Sequence, residues 1–133
     1  ASRPLIPDLA GSETVLLAED DESVRDLVFS ILHHQGYKVL VAENGQKALA
    51  AMDSHEGQID LVLTDLDMPG MGGKELFKKV ADHYPEVSVL YISGCADSII
   101  ADPGLTGGNA NFLQKPFSVR KLISKVRGIL DRV

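Results

Sequence analysis

Five short apolar runs alternate with segments of helical periodicity along this chain of 133 residues, and this alternation limits the possible folds more than any other feature. The runs are continuous in their apolar character, which is typical of strands that are buried on both faces of a parallel sheet. They are Val15–Ala18, Val39–Ala42, Leu61–Leu63, Val87–Ile92 and Phe112–Leu113. The pattern predicts an α/β fold, a doubly wound parallel sheet of five strands with helices on both faces.

Apolar residues spaced three and four positions apart predict the helices between these strands. The first stripe runs from Val24 to Leu32. Residues that cap or stop helices mark the predicted ends: Gly36, Asn44, Pro85 and Ser118. The segment from Asp97 to Asn109 is rich in glycine and also contains a proline, so we expect only one or two helical turns and a loop there.

Composition and charge exclude several classes of function. The longest apolar run is five residues, whereas a membrane-spanning helix needs about 20. The net charge is −6 and the basic residues are scattered, so we expect no direct contact with nucleic acid or with a membrane. The single cysteine and the lack of an apolar leader favour a cytoplasmic domain, whose parent chain could still be membrane-anchored. Residues 1–12 are predicted to be a tether, and residues 13–133 the domain.

Polar and charged side chains follow four of the five predicted strands directly. Glu19 and Asp20 follow the first strand, Asp65 the third, Ser93 the fourth and Lys115 the fifth. Ligands of open α/β sheets bind beyond the carboxyl ends of the strands. These five side chains are therefore expected to converge on one pocket.

The chemistry of such a pocket points to phosphoryl transfer. Three neighbouring carboxylates repel one another, so either one of them keeps a proton or a cation lies among them. Oxygen ligands without histidine or cysteine favour Mg²⁺, with Mn²⁺ as a second option. Lys115 and Ser93 suit phosphoryl oxygens, and a carboxylate nucleophile can accept a phosphoryl group. Asp65 is the predicted acceptor because it ends the central strand.

Four motifs in this order resemble the receiver domain of two-component response regulators. They are Ala18–Asp21, Asp65–Met71, Ser93–Gly94 and Lys115–Phe117. The resemblance extends from Glu13 to about Asp131. It implies a flavodoxin-like fold with strand order 2-1-3-4-5.

The resemblance also implies a role for each matching residue. Asp65 corresponds to the phosphoacceptor, and Asp20 and Asp65 to ligands of Mg²⁺, with a further contact from the backbone carbonyl of Asp67. Glu19 would bind the ion through water. Ser93 corresponds to the hydroxyl that turns toward the phosphoryl group.

The remaining correspondences concern the last predicted strand and its end. Lys115 matches the lysine of the family, and its bond to Pro116 is expected to be cis. Phe112 lies at the aromatic position that would move inward when Ser93 engages the phosphoryl group. The donor would be a phosphohistidine on a histidine kinase or on a histidine phosphotransfer domain.

The motifs most resemble those of the receiver at the C-terminus of a hybrid sensor histidine kinase. A stand-alone response regulator is the near alternative. In both cases the domain is a phosphoacceptor, not a turnover enzyme, and a homodimer is possible. Two further classes remain open. One is an aspartate-nucleophile phosphatase, suggested by Asp65–Asp67, and the other is a binding module that is never phosphorylated.

Overall fold

The predicted parallel sheet is present in the computed structural model, which describes residues 5–55, 57–65, 73–93 and 110–131, with the backbone alone at residues 73, 74, 93 and 110. Its strands are β1 (Thr14–Ala18), β2 (Lys38–Ala42), β3 (Leu61–Asp65), β4 (Ser88–Ser93) and β5 (Ala110–Gln114). All neighbouring pairs are parallel, and the order across the sheet is β2-β1-β3-β4-β5. The predicted strand order is therefore confirmed.

Four α-helices are found in the described ranges: α1 (Glu22–His34), α2 (Gly45–Ser54), α3 (Gly73–His83) and α4 (Val119–Leu130). The side chains of Asn44 and Ser118 cap α2 and α4, because each accepts a hydrogen bond from a backbone N–H of the first turn. Gly36 follows α1 with φ of +104°, a conformation that glycine adopts without strain. The expected turns between Asp97 and Asn109 lie outside the described residues.

The helices cover both faces of the sheet, and each face has its own apolar core. Buried residues of α1 and α4 pack with one set of strand residues, and those of α2 and α3 with the alternate set. Successive strand residues point to opposite faces, so Leu17 belongs to the first core and Leu16 to the second. Both strands at the centre, β1 and β3, are buried throughout.

Strand β2 departs from the predicted burial. The apolar run Val39–Ala42 was expected to be covered on both faces, but Val41 is 49% exposed and only Ala42 is fully buried. The reason is its place at the edge of the sheet, where the strand has one neighbour instead of two. An apolar run thus predicted the strand correctly and its burial wrongly.

The described part of the N-terminal segment lies against the domain. Pro7–Leu9 form a short 3₁₀ helix, and Ile6 and Leu9 pack on the core between α1 and α4. The fully buried side chain of Gln35 accepts from the Ile6 N–H at 2.8 Å and donates to the Ile6 carbonyl at 2.9 Å. A third bond joins the Gly11 N–H to the Gln35 carbonyl at 3.0 Å.

Arg127 of α4 holds the same segment from the other side. Its guanidinium donates to Glu13, to the Ala10 carbonyl at 3.3 Å and to the Tyr37 hydroxyl at 3.1 Å. A side chain at Gly11 would overlap both Arg127 and Tyr37. None of the described helices is long and apolar enough to cross a membrane.

Candidate functional site

An acidic cluster lies at the carboxyl ends of the two central strands. Glu19 and Asp20 directly follow β1, and Asp65 is the last residue of β3, which pairs with β1. One carboxylate oxygen from each of the three residues lies within 4.8 Å of the other two. The chain leaves β1 toward β2 on one side and returns to β3 on the other, so the cluster lies where an open α/β sheet forms its crevice.

Lys115 brings a positive charge to this cluster from the edge of the sheet. It follows β5 directly, and its Nζ lies 3.1 Å from Asp65 Oδ2 and 3.7 Å from Glu19 Oε1. The peptide bond between Lys115 and Pro116 is cis. Burial lowers the pKa of Lys115, but its hydrogen bond to Asp65 and its attraction to both carboxylates outweigh this, so the pKa is raised overall. Lys115 is therefore a permanent cation at neutral pH.

Glu19 is the most buried of the three acidic residues, with 1% of its surface exposed. Burial raises the pKa of Glu19 to about 7, and its proximity to the carboxyl groups of Asp20 and Asp65 adds to the rise. Its Oε2 accepts a hydrogen bond from the Asp21 N–H at 3.3 Å, whereas no hydrogen bond reaches Oε1 from the described residues. A buried carboxylate oxygen of this kind needs a proton or a cation near it, and the Lys115 ammonium at 3.7 Å is one such cation.

The donor set of the cluster fits a divalent cation. Each of the three residues offers a carboxylate oxygen, which a hard ion such as Mg²⁺ prefers over nitrogen or sulfur. Glu19 Oε1 is buried without a hydrogen bond from the described residues, as expected of an atom near an ion-binding position. Burial is the main cause of the raised pKa of Glu19, and a cation would relieve the repulsion from the neighbouring carboxyl groups that adds to it.

Two residues that sequence analysis did not single out hold the acidic turn. Asp21 caps α1 by accepting hydrogen bonds from the Ser23 and Val24 N–H groups. Arg25 donates from Nη1 to the Glu19 carbonyl at 2.9 Å. The cap has a sequence signal, an aspartate directly before a helical stripe. The Arg25 contact has none beyond its place one turn after Asp21.

The structure brings together Glu19, Asp20, Asp65 and Lys115 of the predicted site residues. The backbone of Ser93 ends β4 and pairs with Gln114, next to Lys115. The side chain of Ser93, and all of Asp67, lie outside the described residues.

Phe112 belongs to an aromatic stack. The residue is half-buried on β5, and its ring lies 6.0 Å from that of Tyr91 with an interplanar angle of 26°. Tyr91 is fully buried and also contacts Phe77 edge-on.

Comparison with known proteins identifies the family. Residues 15–127 match the response regulator receiver domain. The chain belongs to this family. It is 35% identical over 125 residues to the sensor kinase CckA of Brucella abortus, covering 94% of this chain and 13% of that protein. It is 31% identical over 118 residues to the transcriptional regulatory protein TrcR of Mycobacterium tuberculosis, covering 89% of this chain and 45% of TrcR.

Solved receiver structures share the fold. The receiver domain of the hybrid histidine kinase CckA is 32% identical with a TM-score of 0.73, covering 89% of this chain and 99% of that one. The response regulator TrrA of Thermotoga maritima, solved in complex with Mg²⁺-BeF, is 26% identical with a TM-score of 0.79, covering 88% of this chain and 98% of TrrA. Each of these two structures covers nearly nine tenths of this chain.

Membership establishes the kind of process to which the domain belongs. Receiver domains act in two-component signalling, where they accept phosphate from histidine kinases or phosphotransfer proteins and bind Mg²⁺ at an acidic pocket. The chain spans less than half of the length of both CckA and TrcR. The similarity to CckA and TrcR therefore concerns only a part of each of those proteins.

Proposed function

We propose that this receiver takes a phosphoryl group from a phosphohistidine onto Asp65. The observation that carries the proposal is the placement of the Asp65 carboxylate at the end of β3, with Lys115 Nζ 3.1 Å from Oδ2 and two further carboxylates beside it. Asp65 is buried, with 8% of its surface exposed, at the carboxyl end of β3.

The transfer exchanges one bond for another. An oxygen of the Asp65 carboxylate attacks the phosphorus in line with the phosphorus–nitrogen bond. The oxygen–phosphorus bond forms as the bond to the donor histidine breaks, and the histidine nitrogen keeps the electron pair. The donor ring reacts with a proton on its other nitrogen, so the products are an acyl phosphate on Asp65 and a neutral imidazole on the donor. Water later hydrolyses the acyl phosphate and resets the domain.

Lys115 supports this reaction by stabilising charge. Its ammonium group already contacts Asp65 and can hydrogen-bond a phosphoryl oxygen at the same place. Glu19, Asp20 and Asp65 would hold Mg²⁺, with the Asp67 carbonyl as a further ligand and Glu19 acting through water. The ion, when bound, supplies positive charge against the negative charge of the phosphoryl oxygens. Mn²⁺ offers the same oxygen-based coordination.

Ser93 and Phe112 are proposed as the switch that reports phosphorylation. Ser93 is the last residue of β4, the strand next to β3, and Phe112 lies on β5 in the stack with Tyr91. Movement of the Ser93 hydroxyl toward the phosphoryl group would shift the balance between two positions of the Phe112 ring. Fluorine NMR of fluorophenylalanine at position 112, before and after labelling, measures that shift.

A hybrid sensor histidine kinase is the proposed parent of this domain. The similarity to CckA over 94% of the chain supports it, and the similarity to TrcR supports the alternative of a response regulator. In the hybrid context, residues 13–133 are the phosphoaccepting domain and residues 1–12 connect it to the preceding part. The mass of the native protein, detected with an antibody against this domain, separates the two.

Intact mass after incubation with acetyl phosphate tests the proposed function. We expect a Mg²⁺-dependent gain of one phosphoryl group by the wild type and none by Asp65→Ala. Asp60→Ala is the matched control, because Asp60 lies at the opposite end of β3 and bonds the Thr14 N–H. Absence of labelling under conditions that label TrrA would contradict the proposal and favour a module that is not phosphorylated. Steady release of phosphate from an ester substrate would favour a phosphatase instead.

A further inference from the structure

Arg25 makes a hydrogen bond that has no part in the proposed phosphoryl transfer. The residue lies on the first turns of α1, and its Nη1 donates to the Glu19 carbonyl at 2.9 Å. Its side chain is half-buried and lines a cavity of about 250 Å³ together with Val41, Ala42, Glu43 and Lys47. A charged donor in a half-buried place makes a stronger hydrogen bond than a neutral one.

The carbonyl that Arg25 binds belongs to the peptide between Glu19 and Asp20. Both acidic side chains branch from the two Cα atoms of this peptide, so its orientation sets the direction of both. The Glu19 N–H is held by the Ala42 carbonyl at 3.0 Å, which fixes the strand side of the turn. The Arg25 bond fixes the other side, where β1 has ended and α1 has not yet begun.

Arg25 has two further interactions besides its hydrogen bond to the Glu19 carbonyl. Its backbone N–H donates to the Asp21 carbonyl at 2.8 Å within α1. Its charge, after the hydrogen bond and charge of Lys47, contributes to lowering the pKa of the exposed Glu43. The helix therefore fixes the backbone of Arg25, and Glu43 attracts its charge.

We propose that Arg25 is a positioning residue, which holds the Glu19–Asp20 peptide so that both carboxylates face Asp65 and bind a divalent cation together with it. This rests on the proposed function, because it names the residue that sets the geometry of the same acidic site.

Two effects of Arg25 on cation binding have opposite signs, and this makes the proposal testable. As a positive charge near an acidic cluster, Arg25 repels Mg²⁺, so its removal would tighten Mg²⁺ binding if charge alone mattered. As a positioning residue it pre-orients two ligands, so its removal weakens binding. The sign of the change therefore decides between the two effects.

The experiment is calorimetric titration of the metal-free protein with Mg²⁺. For Arg25→Met we expect a dissociation constant about tenfold higher, the low end of what outer partners of metal ligands contribute. Arg25→Lys keeps the charge and one donor, and should recover part of the affinity. Lys47→Met is the matched control, since Lys47 lines the same cavity but bonds Glu43 and not Glu19. It should leave the affinity unchanged or slightly higher.

Amide exchange in the metal-free protein gives a second measurement. The Asp21 N–H donates to Glu19 Oε2, so a loosened turn should exchange this amide about tenfold faster in Arg25→Met while core amides stay unchanged. Unchanged or tighter Mg²⁺ binding by Arg25→Met, with Asp21 exchange as in the wild type, would overturn the positioning role alone. Failure of the wild type to bind Mg²⁺ would overturn the proposed function, and the positioning role with it.

Discussion

Glu13 and Glu19 have the same side chain but pKa values shifted in opposite directions. Burial among other carboxyl groups raises the pKa of Glu19 to about 7. A hydrogen bond from Arg127 lowers the pKa of Glu13 to about 2. The two residues are six positions apart, at opposite ends of β1. The difference in pKa therefore comes from the groups around each carboxyl group. It cannot be predicted from the number of acidic residues along the chain.

We expect the stability of the metal-free domain to depend on pH through Glu19. Because the folded pKa is above the value of 4.5 for an unperturbed Glu, the folded state binds the extra proton. This contribution is complete below about pH 4.5 and is lost as the pH rises through about 7. Urea unfolding in the presence of a chelator should show this loss in the wild type and not in Glu19→Gln.

Glu13→Gln is the control for that measurement, with the opposite sign. Its lowered pKa stabilises the wild type above about pH 4.5, and this stabilisation is lost as the pH falls toward 2. The variant should lose the acid dependence and keep the loss near neutral pH. A wild type whose stability is flat between about pH 5 and about pH 8 would contradict the assigned environment of Glu19.

Lys115 is expected to matter for the rate of phosphorylation. Its cation lies 3.1 Å from Asp65 Oδ2, so Lys115→Gln should slow labelling by acetyl phosphate about 100-fold, as the loss of one electrostatic stabiliser does in other enzymes. Lys121→Gln, at an exposed position of α4, is the control and should label at the wild-type rate. Equal rates for both variants would contradict the role of Lys115.

The spacing of the acidic residues and Lys115 along the chain was enough to predict that they meet. Each lies within two positions of the end of an apolar run, and parallel strands end at the same edge of the sheet. The contacts of Arg25 and Asp21 were not predicted, because they depend on where α1 begins. A shift of the helix start by one residue would rotate Arg25 away from the Glu19 carbonyl and would move Asp21 out of the cap position.

At the scale of elements, the N-terminal segment and α4 are held together by long-range contacts. The prolines and the glycine of residues 1–12, and the lack of periodicity there, predicted a tether. Residues 6–11 nevertheless bond to Gln35 and Arg127, which are distant in sequence. These contacts were not predicted, because local composition contains no information about partners that the fold brings near.

Arg127→Met should release this segment. It removes hydrogen bonds to Glu13, the Ala10 carbonyl and Tyr37, and we expect the free energy of unfolding to fall by about 2 kcal/mol. Amide exchange at Ile6 and Gly11, whose N–H groups bond to Gln35, should become faster. Arg120→Met, exposed on the same helix, is the control. Unchanged exchange at both amides would contradict a docked segment.

At the scale of the whole molecule, the order β2-β1-β3-β4-β5 is what places one acidic pair next to Asp65. Alternation of apolar runs and helical stripes predicted the fold class, and the resemblance predicted the order. Burial of β2 was predicted wrongly, because an apolar run does not reveal whether its strand lies at the centre or at the edge.

Binding of Mg²⁺ to the acidic cluster should stabilise the whole domain. At ten times the dissociation constant the linkage amounts to about 1.4 kcal/mol, and the melting temperature should rise by about 3–5 °C. Thermal unfolding with and without Mg²⁺, at matched ionic strength, measures this shift. Asp20→Asn should abolish it, because Asp20 is one of the three carboxylates of the cluster. An equal shift in the variant would place the ion elsewhere.

Locating the phosphoryl group in the labelled protein tests directly whether Asp65 is the phosphoacceptor. Borohydride reduces aspartyl phosphate to homoserine, so the labelled protein can be reduced, digested and sequenced by mass spectrometry. We expect homoserine at position 65 in the sample labelled with Mg²⁺, and aspartate there in the sample without it. Homoserine at another position, with Asp65 unmodified, would contradict the assignment of Asp65 as the phosphoacceptor.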